Sequence, residues 1–111
     1  MAGIPDPTNL LRDIPSRQDR EWVEVLAQRE GIRIERIVSW GQRSPEEFWY
    51  DQEEHEWVAL LSGAATIEFA EGDRSVSLAP GDSLTIPAHV RHRVAWTDPE
   101  QASVWLAVFF H

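Results

Sequence analysis

The groups in this chain best suited to chemistry are four histidines and the acidic and aromatic run between Phe48 and Trp57. In Val90-Arg91-His92-Arg93-Val94-Ala95-Trp96, strand alternation places Val90, His92, Val94 and Trp96 on one face and the arginines on the other. His92 is therefore expected to point inward among apolar neighbours, with Arg91 and Arg93 in solvent. The same parity sets Glu56 on the face of Val58 and Leu60, extending back through Glu54 to Gln52 if no bulge intervenes. An imidazole and a carboxylate are thus predicted to share one interior. His55 falls on the outer face, His89 sits where a strand begins after Pro87, and His111 is terminal, so none of these three has a strong claim on that interior.

The run Phe48-Trp49-Tyr50-Asp51-Gln52-Glu53-Glu54 can form a polar-rimmed aromatic pocket or a plug with a solvated acidic loop. Phe48 and Trp49 suit the plug, and Tyr50, whose hydroxyl needs a polar partner, suits the pocket. Trp96 is expected to line the same interior as His92. The predicted ligand-facing set is Tyr50, Gln52, Glu56, His92 and Trp96.

Strands must position these groups. From Ile32 onward, short runs of branched and aromatic residues alternate with Gly, Pro and Asp punctuation. IRIERIVSW leads. WVALL ends at Ser62-Gly63, and ATIEF and RSVSL form a hairpin across EGD. Ala79-Pro80-Gly81-Asp82 matches a type II turn. SLTIP, HVRHRVAW and ASVWLAVFF complete the set. EWVEVLAQ fits a helix or a strand, and strand is preferred. Residues 1–18, with Pro5, Pro7 and Pro15, read as an extended arm, and residues 19–111 as one domain. The expected fold is all-β, an antiparallel sandwich or barrel. The last strand is apolar on both faces. Trp105 and Phe109 are assigned to an outer face covered either by the arm or by a second copy of the chain.

The block LAPGDSLTIPAHVRHRV resembles the second conserved motif of the cupin superfamily, which runs G, five residues, P, one, G, two, H, three, N. Gly81, Pro87 and His92 occupy their places, while His89 replaces the glycine and Trp96 the asparagine. In the first motif Glu56 and Gly63 keep the family spacing. Its two histidines are replaced by Tyr50 and Gln52, or by Trp49 and Asp51, depending on the spacing taken. The resemblance spans about Ser39 to Phe110. It implies a jelly-roll barrel, often dimeric, whose mouth binds a metal or a small molecule. A metal such as Zn, Fe, Mn or Ni would rest on His92, Glu56 and the weak neutral ligand Gln52. The alternative is a metal-free, hydrogen-bonded His92 and Glu56 pair.

Composition narrows the partners. Ten Lys and Arg against nineteen Asp and Glu give a formal charge of -9, which argues against nucleic acid and anionic membranes. The absence of cysteine removes disulfides, thiolate metal sites and Cys nucleophiles. The N-terminal stretch reads as neither signal nor anchor, no run approaches a membrane span, and a cytoplasmic location is expected. No GxSxG, phosphate loop or dinucleotide fingerprint occurs. Three functions fit: an enzyme using a metal or the His92 and Glu56 pair, a non-catalytic binder of a small ligand, or a homodimeric interaction protein.

Overall fold

The runs of branched and aromatic residues form eight strands in the computed structural model, which describes residues 3–111: β1 (Trp22–Arg29), β2 (Ile32–Ser39), β3 (His55–Ser62), β4 (Ala65–Phe69), β5 (Arg74–Leu78), β6 (Ser83–Ile86), β7 (His92–Thr97) and β8 (Ser103–Phe110). They build a five-stranded sheet in the order β1-β2-β8-β3-β6 and a three-stranded sheet in the order β5-β4-β7. Every pairing is antiparallel. This is the all-β jelly-roll barrel, and the ambiguous EWVEVLAQ segment is its edge strand. Among the described residues, no helix is long and apolar enough to cross a membrane.

The interior is filled by Val58, Leu60, Ala65, Ile67, Leu78, Ile86, Trp105, Ala107 and Phe109. Trp105 and Phe109 therefore belong to the core and not to an outer face. The sequence gives two equally apolar faces on β8 and no signal to choose between them. Pairing decides it: Trp105 stands opposite Leu60 and Ile37, Phe109 opposite Glu56. On the other face, Val104 joins Val38 and Trp40 in a second cluster against which Ile14, Trp22 and Leu61 pack.

Residues 3–21 form no strand. They are held by side chains of the barrel: Arg36 Nη1 donates to the carbonyls of Leu10 (3.1 Å) and Arg12 (2.9 Å). The Arg36 guanidinium lies 5.0 Å over the Trp22 ring, with Nε 3.2 Å from Glu24.

A second departure from alternation lies in β7. Ile67 pairs with Val94 but Thr66 pairs with Trp96, so Ala95 is an extra residue. This bulge reverses the parity of the rest of the strand. Trp96 is turned outward, 42 % exposed, and Thr97 is turned inward, 1 % exposed. Trp96 is thus not an interior residue.

The two sheets are unequal, and the three-stranded one leaves the inner face of β1 partly uncovered. Val23 and Val25 on that face are each half-exposed. The barrel accordingly opens beside β1.

Gly63, which closes the first motif, is required sterically. Its φ is +91°, and a Cβ there would fall 2.6 Å from the Ser103 Cα and 2.8 Å from the Ala102 carbonyl. Gly72 has φ +74° with open space around it. Gly63→Ala should lower the unfolding free energy by about 2–4 kcal/mol, the sum of left-handed strain and overpacking, whereas Gly72→Ala should cost about 1 kcal/mol from strain alone. Chemical denaturation of the two variants checks the difference.

Candidate functional site

The free edge of β7 is paired not by a strand but by the long loop between β2 and β3. Ser44 N–H donates to the Val94 carbonyl (2.8 Å), and Val94 N–H donates to Ser44 Oγ (3.0 Å). Tyr50 and His92 exchange both backbone bonds, at 2.7 and 3.2 Å. This bridge fixes Tyr50 beside His92, where the two rings stack with centroids 5.5 Å apart. Phe48 packs edge-on against Tyr50, and Trp49 lies beneath the Arg93 guanidinium. Neither lines the cavity. Arg93, expected in solvent, is largely covered by the same loop and donates to the Ser44 carbonyl.

Both sheets and this loop enclose a cavity of about 230 Å³. Its polar lining comprises Tyr50, Gln52, Glu56 and His92, with Glu21 and Glu35 in addition. Its apolar lining includes Val23, Ile37, Val58, Ile86, Trp105 and Phe109. Four of the five predicted residues are therefore brought together, and Trp96 is not. Trp105, Glu21 and Glu35 were missed. For Glu21 and Glu35 the available signal was their alternation with Val23 and Ile37 on the two strands at the open side of the barrel.

His92 and Glu56 are both buried, with His92 Nε2 3.6 Å from Glu56 Oε1. The Val90 carbonyl takes the Nδ1–H of His92 at 2.9 Å, which leaves Nε2 as the face presented to Glu56 and the cavity. Gln52 Nε2 donates to Glu56 Oε1 at 3.3 Å. Burial alone would pull the His92 pKa down, but the adjacent Glu56 carboxylate and the Val90 carbonyl outweigh it and hold the pKa above the ordinary histidine value.

At the opposite wall a chain of bonds runs from Trp105 Nε1–H to Ser39 Oγ (3.2 Å) and from the Ser39 hydroxyl to Glu21 Oε2 (2.8 Å). The Glu21 residue is open to solvent on one side, yet its carboxylate sits in the cavity wall. Burial, reinforced by the charges of Glu56 and Glu35, raises its pKa against the lowering effect of Ser39. Burial and the charges of Glu21 and Glu56 also raise the Tyr50 phenol, keeping it a hydrogen-bond donor.

Two of the other histidines, His55 and His89, tie the two motifs together outside the cavity. His55 Nδ1 accepts from Ala88 N–H at 2.9 Å and packs on Phe110. His89 bonds Asp51 at 2.7 Å, and its N–H donates to the Gln52 carbonyl. His89 stands where the cupin motif has glycine, and its φ of +66° is a conformation glycine adopts without strain.

The donor set does not fit a family-type metal centre. Among the described residues, no group of three or more His, Cys, Asp or Glu is placed to hold an ion. His92 and Glu56 face each other as two donors only, and Gln52 turns its amide N–H₂, not its oxygen, toward them.

The pair has a pH signature. A histidine whose native pKa is raised contributes stability that is complete below the unfolded value of about 6.5 and is lost as pH rises through the native pKa. The stability gap between the parent chain and Glu56→Gln should therefore be larger at about pH 5.5 than at about pH 8.5. Glu21 acts in its own right. A carboxyl with a raised native pKa destabilises the fold once ionised, so Glu21→Gln should be more stable than the parent at neutral pH, with the gain vanishing in acid. Urea titrations across pH measure both.

Comparison with known proteins agrees with this architecture. No curated protein matches the chain. A solved structure from Ralstonia eutropha JMP134, provisionally named a mannose-6-phosphate isomerase, is 47% identical, covers 96% of this chain and 98% of its own, and superposes with a TM-score of 0.91. A cupin superfamily protein from Desulfitobacterium hafniense DCB-2 is 22% identical over 87% of this chain and 83% of its own, with a TM-score of 0.72, and shares the fold. A protein from Thermus thermophilus shares it also, at 19% identity, 94% and 95% coverage and a TM-score of 0.77. The Cupin domain family model matches residues 37–109, spanning both motifs, and the chain belongs to that family.

Proposed function

We propose that the barrel cavity binds a small molecule and that the His92 and Glu56 pair exchanges a proton with it. The observation carrying this reading is the orientation of His92, whose Nδ1–H is committed to Val90 while Nε2 faces the cavity beside a buried carboxylate. In the neutral imidazole, Nε2 holds the lone pair that would accept a proton. Glu56 would stabilise the imidazolium formed, and return of the proton to another ligand atom would complete an isomerisation or tautomerisation. Tyr50 offers a donor hydroxyl beside the same ring. A cavity of about 150 Å³ is enough for a benzene-sized ring, so a volume of about 230 Å³ admits a ligand of that size with substituents.

The provisional name of the Ralstonia protein is likewise that of an isomerase. The two facing donors, His92 and Glu56, do not make the shell that a metal-dependent step needs.

The test is a thermal-shift screen with hydroxy, keto and amino compounds of ring size, repeated on His92→Gln and Glu56→Gln. Hits should be lost in both variants while each still unfolds cooperatively. Zn, Mn, Ni and Fe(II) salts should move the parent melting temperature by less than about 1 °C, since a bound ion at saturating excess would give several degrees. Variants that lose stability but keep ligand shifts would reduce the pair to a structural role. A large metal shift abolished by His92→Ala would restore the metal reading.

A further inference from the structure

The charge and hydrogen-bonding character of the cavity limit what can enter it. Its walls are mostly apolar, with Ile37, Val58, Ile67 and Ile86 around Trp105 and Phe109. Half of its six polar residues are carboxylates, Glu21, Glu35 and Glu56, all facing the same space.

Apart from the neutral Tyr50 hydroxyl, the donors that could receive an anion are already engaged. His92 lies beside Glu56, the Gln52 amide donates to Glu56, and the Trp105 indole donates to Ser39. The Arg33 guanidinium lies over the cavity-lining Phe109 ring. Its Nε bonds Glu35 at 2.8 Å, its two terminal nitrogens bond Glu54 at 3.3 Å each, and its plane lies 4.5 Å from the Phe109 ring centroid. Arg36 and Arg93 are spent outside the cavity, on the arm and on the β2–β3 loop.

Glu56 supplies an independent observation. It is nine-tenths buried, yet the one hydrogen bond it accepts among the described residues is the long one from Gln52. A buried carboxylate has capacity for several. Counting His92 as charged, two cations still stand against the four carboxylates of Glu21, Glu35, Glu54 and Glu56.

We propose that the ligand is a small organic cation, an ammonium group on an apolar, ring-sized body, with the ammonium between Glu21 and Glu56 and the body against Trp105. Such a ligand supplies the donors the acceptors lack, and its apolar body can pack on the indole ring. A phosphate or carboxylate would meet acidic groups in a space of reduced dielectric, with no free cation among the described lining residues to receive it. The sugar phosphate in the provisional name of the Ralstonia protein is accordingly a poor match for this cavity. This proposal rests on the reading of the cavity as a small-molecule site.

Three probes with the same ring and different charge test it: benzylammonium, benzyl alcohol and benzoate, with mannose 6-phosphate as a fourth. The readout is the Trp105 indole N–H in ¹⁵N-correlated NMR, assigned with Trp105→Phe, at about 0.15 M ionic strength to screen the overall acidity. Benzylammonium should bind roughly tenfold or more tighter than benzoate, and Glu21→Gln should narrow that ratio to about threefold. If benzoate or mannose 6-phosphate binds as well as benzylammonium while moving the Trp105 signal, cation selectivity is overturned and the cavity reading stands. If no probe moves Trp105, both are overturned. Benzylammonium binding that leaves Trp105 unmoved and ignores Glu21→Gln is surface attraction, and it too overturns the proposal.

Discussion

The backbone bridge between Tyr50 and His92 organises the site. β7 is the last strand of its sheet and would otherwise present an unpaired edge there. The β2–β3 loop satisfies that edge at Ser44 and Tyr50, and in doing so brings the first-motif residues onto the second-motif histidine. Tyr50 then stacks on His92, and Gln52 reaches Glu56. The contacts of His89 with Asp51 and Gln52 tie the same loop a second time. A loop pinned this way pre-orients the side chains, so less ordering is left to accompany ligand binding.

Much of this was legible in the sequence. The alternation around His92 and Glu56 put both groups inside, and the turn residues Gly63, Gly81 and the EGD segment marked the strand ends. The errors have definite causes. Trp96 was misplaced because one extra residue, Ala95, shifts the side-chain parity, and a bulge leaves no mark in a run that still alternates. Trp105 was misplaced because a strand apolar on both faces carries no phase information. Glu21 and Glu35 were passed over because a charged residue alternating with apolar ones is usually read as marking the solvent face. Here the unequal sheets leave the barrel open beside β1, so carboxylates can face inward and still be solvated in part.

That openness also explains how so many acids coexist in one interior. Glu35 is neutralised by Arg33, Glu56 lies beside His92, and Glu21 borders solvent at the mouth. Each has a different remedy for its charge. Three carboxylates of one chemical type are thereby held in unlike surroundings within one cavity.

The grip of Arg36 on the carbonyls of Leu10 and Arg12 bears on how far the chain can be trimmed. Arg36 is 6 % exposed, and its guanidinium donates two hydrogen bonds to the backbone of a segment that has no sheet of its own. Truncation past Arg12 would remove those acceptors and leave a buried cation short of partners next to Trp22, the residue that follows Glu21 at the start of β1. The apparently dispensable first residues thus act as a counterweight to a charge in the barrel wall, and a shortened chain would be altered at the cavity mouth as well as at its end.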